Sequence, residues 1–193
     1  MSDSRPIGIF DSGIGGLTVA RAIRQQLPAE DLIYFGDTAR LPYGTKSEQT
    51  VTRFAQQIVE FLLRRDMKAL VVACNTVSSI ALPHLAQELP IPVVGVIEPG
   101  VIGALREIKK ECVGVIGTLA TIESNAYSRA LHRQNAELDV ISVACPLFVP
   151  LAEEGLLEGP IAEAIAHRYL DTFVSAGIDT LILGCTHYPF LSP

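Results

Sequence analysis

Two stretches decide how this chain folds: Leu70-Val71-Val72-Ala73-Cys74-Asn75-Thr76 and Leu181-Ile182-Leu183-Gly184-Cys185-Thr186-His187. Each is a short apolar run, then a small residue, a cysteine and two polar side chains. A short continuous apolar run that ends in a turn reads as a strand buried on both faces. The polar residues that follow then lie just beyond its carboxyl end.

The surrounding chain repeats this rhythm. Pro6–Phe10 reads as a strand, followed by the glycine-rich turn Asp11–Gly16 and a helix over Leu17–Leu27 that Pro28 stops. Leu32–Phe35 is a strand, and Asp37–Gly44 lies in the loop after it. Ser47 caps a helix running to about Arg65, whose apolar stripe is Val51, Phe54, Ala55, Ile58 and Leu62. A strand over Ala69–Ala73 leads to Cys74, and a helix over Ser78–Leu89 carries Pro83 as a kink.

Further on, Pro92–Val96, Val113–Ile116, Leu138–Val143 and Thr180–Leu183 read as strands. Val101–Lys110, Ile122–Gln134 (capped by Thr121) and a segment from Pro160 to before Gly177 read as helices. The segment from Cys145 to Pro150 reads as a loop. Strands alternating with helices imply an α/β fold with mostly parallel sheets flanked by helices. The two matching cysteine turns imply two related lobes, residues 1–97 and 98–193, with the active site between the lobes. In such sheets ligands bind outside the carboxyl ends of the strands.

That rule brings a few loops together. Asp11 and Ser12 head the first turn, where Asp11 can hold an ammonium group or tune a thiol. Thr18 stands where a dinucleotide fingerprint needs its third glycine, so a nucleotide cofactor is not supported. Pro42-Tyr43-Gly44 can present backbone N–H groups to a carboxylate. Asn75, Thr76, Thr118, Thr121 and Thr186 can donate hydrogen bonds to carboxylate oxygens or cap the following helices. His187 lies two residues past Cys185, where an imidazole can assist a thiol. Glu153 and Glu154 follow the proline loop.

Of the four cysteines, Cys112 and Cys145 read as small buried hydrophobes. Cys74 and Cys185 read as a pair, because both end strands and both have polar neighbours. Two thiols on facing lobes suit removal of a proton from the carbon beside a carboxylate and its return on the opposite face. Thiols ionise near pH 8.5, so the deprotonating side must favour the thiolate while the other stays protonated.

Composition excludes several classes. The chain has 193 residues, 49% of them hydrophobic, with no low-complexity stretch, so a disordered protein is excluded. A net charge of -6 without a basic block argues against nucleic-acid binding. No run is long enough to span a membrane, and Met1–Pro6 is polar with no signal-peptide core, so a cytoplasmic location is expected. No CxxC pair or His/Asp/Glu spacing resembles a metal site.

The segments IFDSGIGGLTV, YFGDTARLPYG, VACNT and GCTHYPFL resemble glutamate racemase, of the aspartate/glutamate racemase superfamily, in order and over essentially the whole chain. The resemblance implies a reaction without pyridoxal phosphate, metal or other cofactor, with glutamate as ligand. Cys74 would deprotonate D-glutamate and Cys185 would deprotonate L-glutamate. Its substrate contacts fall on Asp11, Ser12, Tyr43, Gly44, Asn75, Thr76, Thr186 and His187. Thr118 and Thr121 match weaker contacts, and Glu153 matches a supporting acid.

It further implies D-glutamate supply for peptidoglycan synthesis in a bacterial cytoplasm, and a homodimer, as is frequent in the family. Family members continue for several elements past the second cysteine motif. The expectation is therefore a chain that carries the site residues but lacks the closing segments of both lobes, with reduced stability. Three alternatives stay open: a racemase for aspartate or a hydantoin, a cysteine hydrolase built on Cys185 and His187, and an inactive substrate-binding fragment.

Overall fold

Every strand pair in the computed structural model is parallel, and the strands fall into two separate sheets. The structure describes residues 3–192. It divides into two units, one ending at Val96 and one starting at Ile97.

The first unit holds β1 (Ile7–Asp11), α1 (Leu17–Gln26), β2 (Leu32–Gly36), α2 (Glu48–Leu63), β3 (Ala69–Val72), α3 (Asn75–Ile80), α4 (Leu82–Glu88) and β4 (Val93–Gly95). Its sheet runs β2-β1-β3-β4. Phe10 of β1 lies opposite Phe35 of β2 and Val72 of β3. The core packs Phe10, Leu70 and Val72 against Val51, Ala55, Ile58 and Leu62 of α2. Four of the five residues in the expected α2 stripe are thus fully buried, while Phe54 is only partly so. Ser47 caps α2 by accepting a hydrogen bond from the Thr50 amide at 3.3 Å.

The second unit holds α5 (Ile97–Glu107), β5 (Cys112–Gly117), α6 (Leu119–Glu123), α7 (Ala126–Gln134), β6 (Asp139–Ala144), α8 (Phe148–Glu153), α9 (Pro160–Ala176) and β7 (Thr180–Gly184). Its sheet runs β6-β5-β7. One core joins Ile97 and Val101 of α5 to Val113, Val115, Tyr127 and Leu131. A second gathers Ile116, Cys145, Phe148, Phe173, Cys185 and Tyr188. Gly177 closes α9 in the left-handed region at φ 64°, a conformation that favours glycine at a helix end.

The structure corrects the sequence reading at five places. The helix expected over Ser78–Leu89 begins at Asn75 and splits into α3 and α4 at Ala81; Pro83 sits in the first turn of α4 rather than kinking one helix. The helix expected over Ile122–Gln134 is also two, because Asn125 turns left-handed at φ 53° and starts a new helix. Its cap is Thr118, which accepts from the Thr121 amide, so Thr121 lies inside the first turn. The expected loop up to Pro150 contains α8, since Pro150 falls in a first turn where no intrahelical donor is needed. Finally, the helix expected over Val101–Lys110 begins earlier, at Ile97, and ends at Glu107.

Candidate active site

In the first unit the polar residues collect where β1, β2 and β3 end. Asp11 closes β1 and is fully buried. Its Oδ2 accepts hydrogen bonds from the Gly13 and Gly16 amides, both at 3.0 Å. Tyr34 of β2 donates its hydroxyl to the Gly13 carbonyl at 2.7 Å. A buried turn must satisfy its amides internally, and the Asp11 carboxylate does so here. Asp11 therefore braces the glycine turn and carries negative charge close to Cys74.

Cys74 is the N-cap of α3, 4% exposed. Its thiol donates to Ser12 Oγ at 3.5 Å. Burial pushes the thiol pKa up to about 11, and the Asp11 carboxylate pushes the same way. The Ser12 hydroxyl and the Thr76 and Val77 amides oppose the rise without cancelling it. At neutral pH Cys74 is a protonated thiol, ready to give a proton. Asn75 and Thr76, both buried, follow it in the first turn of α3.

This arrangement sets a measurable expectation. Alkylation of Cys74 by iodoacetamide, read by mass spectrometry, rises about tenfold per pH unit from pH 7 and is still rising at pH 10. Asp11→Asn removes a negative charge that disfavours the thiolate, so the profile moves to lower pH. A plateau below pH 9 in the unsubstituted chain would contradict the assignment.

Tyr43 and Gly44 stand in a single helical turn, Tyr43–Thr45, and both are buried. The Tyr43 ring is 1% exposed and belongs to the core, with its hydroxyl donated to Asp37. Its side chain is thereby committed to the core and to Asp37. Asp37 itself was not singled out from the sequence, yet it is 6% exposed and its amide donates to the Asp11 carbonyl at 3.0 Å.

In the second unit Cys185 follows β7 and is 8% exposed. Its Sγ lies 3.8 Å from His187 Nδ1, a long sulfur contact. His187 Nε2 lies 2.5 Å from Glu153 Oε1. An ionised carboxylate only accepts, so Nε2 carries the hydrogen. In the neutral ring Nδ1 is then the acceptor facing the thiol. Glu153 is the last residue of α8.

Thr118 leaves β5 just past the Gly117–Gly184 pair, as Cys185 leaves β7. Its hydroxyl shares a 2.9 Å hydrogen bond with that of Thr121. Thr186 is buried beside Cys185. Tyr188 donates its hydroxyl to the Cys145 carbonyl at 2.9 Å, tying the Cys185 loop to the end of β6. Cys145 is fully buried, but Cys112 is only half-buried and lies 3.8 Å from Asp139 Oδ2, contrary to the buried reading of that cysteine. The tendency of a lone cysteine to be a buried small hydrophobe does not hold here, because Cys112 is the first residue of β5, at the amino-terminal end of the strand. Among the described residues no group of three or more His, Cys, Asp or Glu side chains is placed to hold a metal ion.

Each unit thus offers a buried thiol at a strand end with a polar side chain beside the sulfur, Cys74 next to Ser12 and Cys185 next to His187; Cys145, buried past the end of β6, meets the Val143 carbonyl at 3.6 Å. The family model described as Asp/Glu/Hydantoin racemase matches residues 7–193. The chain belongs to this family. It is 59% identical over 187 residues to the glutamate racemase of Geobacter metallireducens, covering 97% of this chain and 69% of that one. Among solved structures of family members, the glutamate racemase of Francisella tularensis in complex with D-glutamate superposes with a TM-score of 0.92 at 49% identity, covering 98% of this chain and 72% of that one. A glutamate racemase isoform of Bacillus anthracis gives 0.94 at 46% identity, covering 98% and 71%.

Proposed function

We propose that the chain interconverts L-glutamate and D-glutamate by proton transfer between two thiols, with no cofactor. The observation that carries this reading is the paired chemistry: Cys74 in the first unit and Cys185 in the second are buried thiols at strand ends with polar side chains beside the sulfur, and the two have different surroundings. Cys185 has an imidazole acceptor backed by a carboxylate. Cys74 is held as a thiol by burial and by Asp11. High identity to glutamate racemases supplies the substrate.

From L-glutamate, Cys185 as thiolate takes the α-proton, and the electron pair left on the α-carbon delocalises into the adjoining carboxylate. Cys74 then returns a proton to the opposite face and is left as thiolate. The reverse direction exchanges the roles, so Cys74 deprotonates D-glutamate. Asp11, Ser12, Tyr43, Gly44, Asn75, Thr76, Thr186 and His187 would contact the substrate. Tyr43 and Gly44 would do so through backbone amides. Thr118 and Thr121 would give weaker contacts, and Glu153 would act through His187. On this reading the product feeds peptidoglycan synthesis, and the reaction runs in the bacterial cytoplasm.

The Cys185–His187–Glu153 geometry also suits a cysteine hydrolase. That reading leaves Cys74 without a task. Incubation with each glutamate enantiomer in heavy water separates the two. A racemase incorporates deuterium at the α-carbon and yields the other enantiomer; with L-aspartate run in parallel, glutamate turns over faster. Absence of both exchange and inversion would overturn the proposal.

A further inference from the structure

We propose that Arg40 is a positioning residue for the Pro42–Gly44 loop, acting through Asp37 and the Tyr43 hydroxyl. The inference rests on the reading of that loop as the part of the site that receives a substrate carboxylate. Neither Arg40 nor Asp37 is among the residues expected to touch substrate.

The geometry is specific. Arg40 Nε lies 2.6 Å from Asp37 Oδ2, and the Tyr43 hydroxyl donates to the same oxygen. One carboxylate atom therefore joins the residues on either side of Leu41 and Pro42. Arg40 Nη1 donates to Gln57 Oε1 of α2 at 2.6 Å. The guanidinium carbon lies 4.2 Å from the centroid of the Phe54 ring, and Phe54 packs against Tyr43 at 5.6 Å between centroids. Arg40 is thus pinned at three points: a buried carboxylate, an amide oxygen and an aromatic face. Two of those points are on α2, the helix at the centre of this unit's core.

The consequence is that Tyr43 points inward. Its hydroxyl is held by Asp37 and its ring by Phe54, and together they fix the backbone of the Tyr43–Thr45 turn. The turn is closed by the Lys46 amide donating to the Tyr43 carbonyl at 3.0 Å. Without the guanidinium, the buried Asp37 carboxylate loses its cationic partner, and the loop keeps only the Tyr43–Phe54 packing as its tie to α2. Lysine is a poor substitute. It is a compact charge without a planar fork, and it cannot bond Asp37 and Gln57 while also stacking on Phe54.

The test has two arms in the full chain. Amide hydrogen exchange by NMR follows Lys46, whose amide reports the turn, and Ala73, whose amide donates to the Phe10 carbonyl at 2.8 Å and reports the sheet. Arg40→Ala is expected to speed exchange at Lys46 about tenfold or more with Ala73 unchanged, because the opening is local. In the second arm, KM for both glutamate enantiomers rises about tenfold while kcat changes little, the signature of lost uniform binding. Arg40→Lys recovers part of both.

Unchanged protection at Lys46, or protection lost at Lys46 and Ala73 together, overturns the positioning role. A loosened Lys46 with unchanged KM upholds that role and instead overturns the reading of the loop as the carboxylate receiver.

Discussion

Replacing either Cys74 or Cys185 with alanine lowers racemisation of both glutamate enantiomers by about 10²–10⁴-fold, the range expected for loss of one positioned acid or base. Both directions fall together because each needs one thiol as base and the other as acid. What remains is one-sided. Cys185→Ala keeps Cys74, so it still exchanges the α-proton of D-glutamate with heavy water and not that of L-glutamate. Cys74→Ala does the reverse. Both side chains are buried, so each truncation also removes packing, and a melting curve run alongside separates unfolding from lost chemistry. Racemisation at the unsubstituted rate in either variant would eliminate the two-thiol mechanism.

The second large effect is expected at Gly184, the residue before Cys185. It lies opposite Gly117 in the β5–β7 pair. A Cβ built there would sit 2.6 Å from the Ile116 carbonyl oxygen and 3.1 Å from the Tyr127 ring. A backbone oxygen in a sheet cannot move aside cheaply, so Gly184→Ala forces β7 away from β5. Overpacking of this kind costs about 1–3 kcal/mol. For a chain of this size each kcal/mol corresponds to roughly 2–4 °C of Tm. The displacement passes directly to Cys185, and a reacting group misplaced by ~1 Å costs about 10²-fold in rate. Thermal melts and glutamate turnover should therefore both fall. Unaltered values for the variant would show that the strand has room.

Gly184 also shows where sequence reading stops. The two cysteine motifs look alike, and Ala73 holds the place in the first that Gly184 holds in the second. Ala73 is fully buried with its methyl group accommodated, whereas a methyl group at 184 meets backbone. Both residues read simply as small. The difference lies in the neighbouring strand, which sequence spacing does not describe.

The strands themselves were legible, because continuous apolar runs ending in turns have few other readings. Their observed ends agree with the sequence reading within one or two residues. The helix breaks at Ala81 and Asn125 were not legible. An apolar stripe continues across a short break, and nothing in its period marks the left-handed residue. The partner of His187 is 34 residues away on α8, a helix whose proline read as loop. Tyr43, flanked by proline and glycine, read as part of a turn presenting backbone N–H groups, and the place of its side chain depends on Asp37, Arg40 and Phe54 converging from loop and helix.

The all-parallel pairing carries a kinetic consequence. Parallel neighbours cannot be joined by a tight turn, so each pair closes a long stretch of chain. Ile7 pairs with Ala69, and Val113 pairs with Thr180. Loop-closure entropy must be met before such contacts reward it, which slows folding relative to local topologies. The middle strand β5 is flanked on both sides only after β7 has been synthesised. Until then its open side, Val113 to Gly117, is an apolar edge on a nascent chain, and the Cys185 turn is the last part of that sheet to gain a fixed position.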